Sequence, residues 1–163
     1  MIEAKALTPE AFAPFGQVLQ NGVGTVKAIR DGSVTLTKTA TRCVHDATAD
    51  NFAIDFYEAA PEAGRLTMTQ AEQHPHSAQL FVPLNANRYL VVVWESEPGD
   101  RSVPQAFLAG GRDLVVYNPG VWHHGIVALD RQTLFVSAMW KTPDGTDTVF
   151  RTLQRPFEVS WLR

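Results

Sequence analysis

The sequence predicts a small all-β barrel with a short N-terminal helix and a polar site in its mouth. Short runs rich in Val, Leu, Phe and Tyr, such as QLFVPL, RYLVVVW and TLFVSAMW, read as strands. Turn signals recur about every eight to twelve residues, the spacing of a sandwich or barrel. They fall at Pro61 to Gly64, Asn85 to Asn87, EPGD (97–100), Gly110-Gly111 and Pro119-Gly120. Two histidine clusters, His74 with His76 and His123 with His124, lie about forty-five residues apart, room for several strands. Such clusters converge in an all-β domain only if the sheet curls so that both face one interior.

Each element follows from local chemistry. Thr8 is an N-cap, Pro9 suits the first helical position, and Pro14 and Gly16 end the helix within a turn or two. Phe12 and Phe15 fall on one side of it, so it caps a barrel end. Residues 21–50 are less patterned, with a strand expected where Val34 and Leu36 alternate. In NFAIDFY, Phe52, Ile54 and Phe56 alternate with Ala53, Asp55 and Tyr57, the pattern of a half-buried strand. RLTMTQAEQH alternates likewise. Tyr89–Trp94 is apolar on both faces, so both faces should be covered. TLFVSAMW is the last long strand expected. Neither βαβ alternation nor a linker is visible, so residues 1–163 form one domain.

Composition narrows the function classes. The chain is 45% hydrophobic and 19% charged, a globular balance. Fourteen Lys and Arg against seventeen Asp and Glu, with no basic run, argue against nucleic-acid binding. Cys43 is the single cysteine, so no internal disulfide can form. Neither a signal-peptide pattern nor an apolar run long enough to span a bilayer is present, so a cytoplasmic location and no membrane partner are expected.

Pro119 and Gly120 make a tight turn that returns the chain through VWHHG. Successive strand residues face opposite sides, so His123 and His124 diverge. The spacing favours His123 inward, leaving Trp122 and His124 together on the other face. Trp122 and His124 stand as substrate-contact candidates, with core packing the alternative for the tryptophan. His74 and His76 are two apart and share a face on an extended segment. Three imidazoles, His74, His76 and His123, make an open site for a divalent metal whose identity ligand type does not name. Glu72 and Gln79 flank the first cluster. A strand-end carboxylate is commonly solvated, and a glutamine there is a ligand, an orienting partner or a satisfied core amide. His45 has no companion and reads as structural.

The strings AFAPFGQVL, LTMTQAEQHPHSAQLFVPL and VVYNPGVWHHGI resemble those of the ureidoglycolate lyases, in the same order over most of the chain and least across 21–60. The resemblance implies a cupin fold, a double-stranded β-barrel, and a homodimer. It implies cleavage of ureidoglycolate to glyoxylate and urea in allantoin breakdown. His74 and His76 match the cupin H-x-H, and Gly120 and His123 match its G-x2-H. Gln79 stands where a cupin carries a glutamate ligand, and Asn118 where the second motif has proline. The set it implies is His74, Gln79 and His123, the position of His76 often differing in that family; with His76 added from the H-x-H match, the catalytic candidates are His74, His76, Gln79 and His123.

Ureidoglycolate is a hemiaminal with a carboxylate. Its cleavage needs a base for the carbinol hydroxyl, an acid for the departing nitrogen and an anion anchor, and no nucleotide cofactor. Histidine serves as acid or base near neutral pH. Lys141 and Arg88 are the two anchor candidates. A non-catalytic small-molecule-binding cupin and another cupin enzyme, such as a sugar isomerase, are the alternatives.

Overall fold

Two sheets curl over one aromatic interior. The computed structural model describes residues 1–99 and 101–161; Asp100, in the expected EPGD turn, and the last two residues lie outside them. In chain order the elements begin β1 (Ile2–Glu3), β2 (Lys5–Ala6), α1 (Pro9–Phe12), β3 (Gly16–Leu19), β4 (Thr25–Ile29), β5 (Val34–Lys38), β6 (Asn51–Ala59) and β7 (Arg65–Gln73). They continue β8 (Gln79–Pro83), β9 (Arg88–Trp94), β10 (Pro104–Gly110), β11 (Leu114–Tyr117) and β12 (Trp122–His123). Last come β13 (Val127–Ala128), β14 (Thr133–Lys141) and β15 (Val149–Ser160). One sheet runs β1-β15-β7-β12-β9-β10-β2, with β13 also on β9, and the other runs β3-β11-β8-β14-β6. This is the cupin-type double-stranded β-barrel.

The helix forms as its signals dictate. Thr8 Oγ1 accepts a hydrogen bond from the Ala11 amide at 3.2 Å, and Pro9 opens the single turn. Phe12 and Phe15 both enter the core, where Phe12 meets Phe107 and Tyr117 edge-on. Gly16 then lets β3 pass close to β11, since a Cβ there would sit 1.9 Å from the Val116 carbonyl oxygen.

The apolar run of β9 is buried on both sides by its own chain. Tyr89, Val91 and Val93 face the barrel interior with Phe81, Phe107 and Phe135. Leu90, Val92 and Trp94 face a second core with Met68, Trp122, Val159 and Trp161. A second copy of the chain is therefore not needed to cover this strand.

Three elements depart from the sequence expectation. In β6 the alternation is present, but its apolar face turns outward: Phe52, Ile54 and Phe56 are 49%, 59% and 69% exposed. Tyr57 and Asp55 turn inward instead, Tyr57 onto Phe81 and Asp55 onto Lys141. The less patterned region contributes a hairpin of β4 and β5 rather than one strand. Finally, TLFVSAMW is followed by a longer strand. β15 pairs with β7 across a register shift between Thr152 and Phe157, which breaks the alternation that would have announced it.

Candidate active site

Ladder register brings the two histidine clusters together. Tyr117 ends β11, and the turn at Gly120, with φ of 74°, reverses the chain so that Val121 N reaches the Asn118 carbonyl. The returning β12 pairs His123 with Val93 on one side and with Glu72 on the other. Directly opposed residues share a face, so His123 and Glu72 point the same way as Val93, into the barrel. Trp122 pairs with Trp94 and goes to the second core.

The ring of His123 is nearly fully buried and stacks on Tyr117, with centroids 4.2 Å apart. Its Nδ1 donates to the Val121 carbonyl at 2.9 Å. In the neutral ring Nε2 therefore carries the lone pair. That atom is buried, has no hydrogen-bond partner among the described residues, and lies 3.5 Å from a Glu72 oxygen. Two acceptors face each other there, and either a proton or a cation relieves the opposition.

His74 completes the group. It follows the end of β7, with its ring centroid 5.3 Å from that of His123. Nδ1 lies 3.2 Å from the Asp147 carbonyl and 3.3 Å from Thr148 Oγ1, while Nε2 lies 3.1 Å from Gln79 Oε1. Gln79 opens β8 opposite Tyr117 and Met139, and its amide nitrogen reaches the Met139 sulfur. Gln79 thus orients a histidine, the partner role among those open to it from sequence.

Charge is coupled across the group. Burial lowers the His74 pKa, and the neighbouring His123 lowers it further against the pull of Glu72. Burial alone would raise the Glu72 carboxyl; the close approach of His123, with His74 and His124, outweighs it and holds it below its ordinary value. The Tyr117 phenol is pushed well up, by burial and then by Glu72, and stays neutral.

One ligand atom each from Glu72, His74 and His123 lies within 4.8 Å of the others, and this set could hold a metal ion. It differs from the three-histidine set expected from sequence. His76 does not belong to it: β7 ends at Gln73, the backbone bends at Pro75, and strand parity no longer governs the segment. His76 Nδ1 instead meets Asp46 at 2.8 Å, which holds the Asp46 carboxyl down at about 2.

The remaining candidates divide. Lys141 lies two residues past Met139 on the inward face of β14, about 7 Å further along the strand. Its Nζ pairs with Asp55 at 2.6 Å, and its charge is felt by Tyr57, which in turn feels Glu72. Arg88 is elsewhere. It forms a two-pronged pair with Asp130 at the far end of β9, about 17 Å by strand rise from the Val93 that faces His123. Trp122 is buried on the opposite face and contacts the second core, not the site. His124 lines a shallow cavity of about 160 Å³ with Gln70, Glu72, Gly125 and Phe150, on the Glu72 side of the group. A larger cavity of about 250 Å³, between Trp94 and Phe157, contains none of the clustered side chains.

The family model for ureidoglycolate lyase matches residues 1–160. The chain belongs to the ureidoglycolate lyase family. It is 32% identical over 135 residues to the ureidoglycolate lyase of Brucella ovis, covering 83% of this chain and 80% of that protein. It is 34% identical over 138 residues to that of Pseudomonas aeruginosa, covering 83% and 80%. Among solved structures it is similar to a dTDP sugar isomerase from Desulfovibrio desulfuricans, with a TM-score of 0.47 and 14% identity over 86% of this chain and 87% of that one. In this member of the ureidoglycolate lyase family the inward polar group is the buried His74, Gln79 and His123 with the partly buried Glu72. Sequence reasoning undervalued Glu72, and missed Tyr117, Asp55 and Tyr57. A two-residue offset from His74 was the available signal for Glu72. Nothing local marks the other three, which arrive through register.

Proposed function

We propose that this chain cleaves ureidoglycolate to glyoxylate and urea, a step of allantoin breakdown, at the Glu72–His74–His123 group. The observation that carries the reading is the buried, unpartnered Nε2 of His123 facing Glu72. The reaction moves one proton. The carbinol O–H gives up its proton, its electron pair forms the aldehyde C=O, and the C–N bond breaks toward nitrogen, which takes a proton to leave as urea. His123 Nε2 accepts the proton, and the adjacent Glu72 carboxylate stabilises the imidazolium. The same nitrogen then delivers the proton to the departing nitrogen. Tyr117 fixes the plane of the ring, and Val121 fixes its tautomer. His74, held at Nδ1 by Asp147 and at Nε2 by Gln79, lines the site beside His123. Lys141 anchors the carboxylate, sliding from Asp55 to a shared position.

Two imidazoles and a carboxylate are a donor set that suits a divalent ion. Bound there, such an ion would lower the pKa of the substrate hydroxyl and neutralise developing alkoxide charge. Glu72, His74 and His123 would hold it, and His123 Nε2 would then be a ligand in place of the base. We read the protein as a cytoplasmic homodimer. Among the described residues no helix is long and apolar enough to cross a membrane. Stoichiometric release of urea and glyoxylate from ureidoglycolate by the purified protein tests the reading; a protein inert toward it supports a binding role instead.

A further inference from the structure

Strands β4 and β5 pair with each other and, among the described residues, with no third strand. All of β4 is exposed, and Val26 and Ile29 lie in the open. A two-stranded hairpin is at best marginally stable alone in water. The register puts Thr25, Lys27 and Ile29 on one face with Val34, Leu36 and Lys38, so that face joins an apolar cluster of Ile29, Val34 and Leu36 to two lysines, while Val26 lies on the other face. Such an arm is built to lie on another surface.

A second unpartnered surface exists on β6. This strand is the edge of its sheet, and its outward Phe52, Ile54 and Phe56 are half exposed or more. A long apolar edge left open invites aggregation. The two surfaces are complementary in charge. The arm and its base carry Lys27, Arg30, Lys38 and Arg42 against Asp31. The segment around β6 carries Asp50, Glu58 and Glu62 apart from the inward Asp55, with no Lys or Arg from 50 to 63.

We propose that the β4–β5 arm of one copy packs on the outward face of β6 of a second copy, and reciprocally about a two-fold axis. The proposal rests on the homodimer reading and adds which surfaces make it. Sedimentation velocity on the full chain tests it. The wild type should run as two 18.0 kDa chains. Ile54→Arg, and separately Ile29→Lys with Val34→Lys, should each shift it to a single chain with unchanged far-ultraviolet circular dichroism. Lys27→Glu with Arg30→Glu should weaken association at least about tenfold, and adding Glu58→Lys with Glu62→Lys should recover part of it, which mere misfolding would not do. A monomeric wild type overturns both the dimer and the arm. A dimer insensitive to the arm variants overturns the arm alone, whether or not Ile54→Arg disrupts it.

Discussion

His123 Nε2 and Glu72 Oε1 lie 3.5 Å apart on directly opposed residues of β12 and β7. The imidazole cannot turn away, because Nδ1 is held by the Val121 carbonyl and the ring is stacked on Tyr117. A lone pair is thereby aimed from a buried ring at a partly buried carboxylate. That arrangement is costly unless a proton or a cation is shared, and sharing a proton is what the hemiaminal cleavage requires.

Glu72→Gln should therefore lower kcat while the fold is retained. Removing a positioned acid–base group costs about a hundred- to ten-thousand-fold. The neutral amide keeps the shape but neither stabilises the imidazolium nor serves as a full metal ligand. Steady-state kinetics alongside thermal melting separates the two roles; a Gln variant with undiminished kcat would remove Glu72 from the chemistry.

Lys141→Ala should raise KM by about ten- to a hundredfold, the worth of a lost charge-assisted hydrogen bond, with a smaller change in kcat. Arg88→Ala should leave both constants near wild type, since its guanidinium is occupied by Asp130 far from the site. If Arg88→Ala raises KM and Lys141→Ala does not, the anchor has been placed at the wrong end of the barrel.

Burial, with the neighbouring His123, depresses the His74 pKa below its ordinary 6.5. The folded state then binds fewer protons than the unfolded chain below about that pH, so acidification favours unfolding. In chelator-treated protein the unfolding free energy should fall as the pH drops through about 6.5. Glu72 acts in the same direction, but only below its ordinary 4.5. His74→Asn, which cannot titrate, should flatten that slope. Equal slopes in urea titrations would show that His74 takes up its proton at no cost to the fold.

Cobalt(II) titration reads the metal branch without an activity assay. Binding should produce a visible d–d band in the wild type that is lost in Glu72→Ala and His123→Ala. His76→Ala should retain it, because His76 is engaged with Asp46 outside the cluster. Loss of the band in His76→Ala with retention in Glu72→Ala would restore the three-histidine set.

Much of this was legible before any coordinates. Periodicity located the strands from Arg65 to Trp140, and parity sent His123 inward and Trp122 to the opposite face. What failed did so for definable reasons. Parity was applied to His76 across Pro75, where the strand had already ended. The alternation of Phe52, Ile54 and Phe56 gave the strand but not its inner side, because an edge strand's neighbours decide that. The last strand was hidden by its own register shift. Glu72 looked solvated because the residue opposite it lies far along the chain, and pairing is invisible to local pattern.

The most direct test of the account is the initial rate of glyoxylate and urea release by His123→Ala, set against the wild type and normalised to folded protein. The account predicts equimolar products from the wild type and a rate about a hundred- to ten-thousand-fold lower in the variant, with an unchanged melting cooperativity. A folded His123→Ala that cleaves ureidoglycolate at the wild-type rate would contradict it.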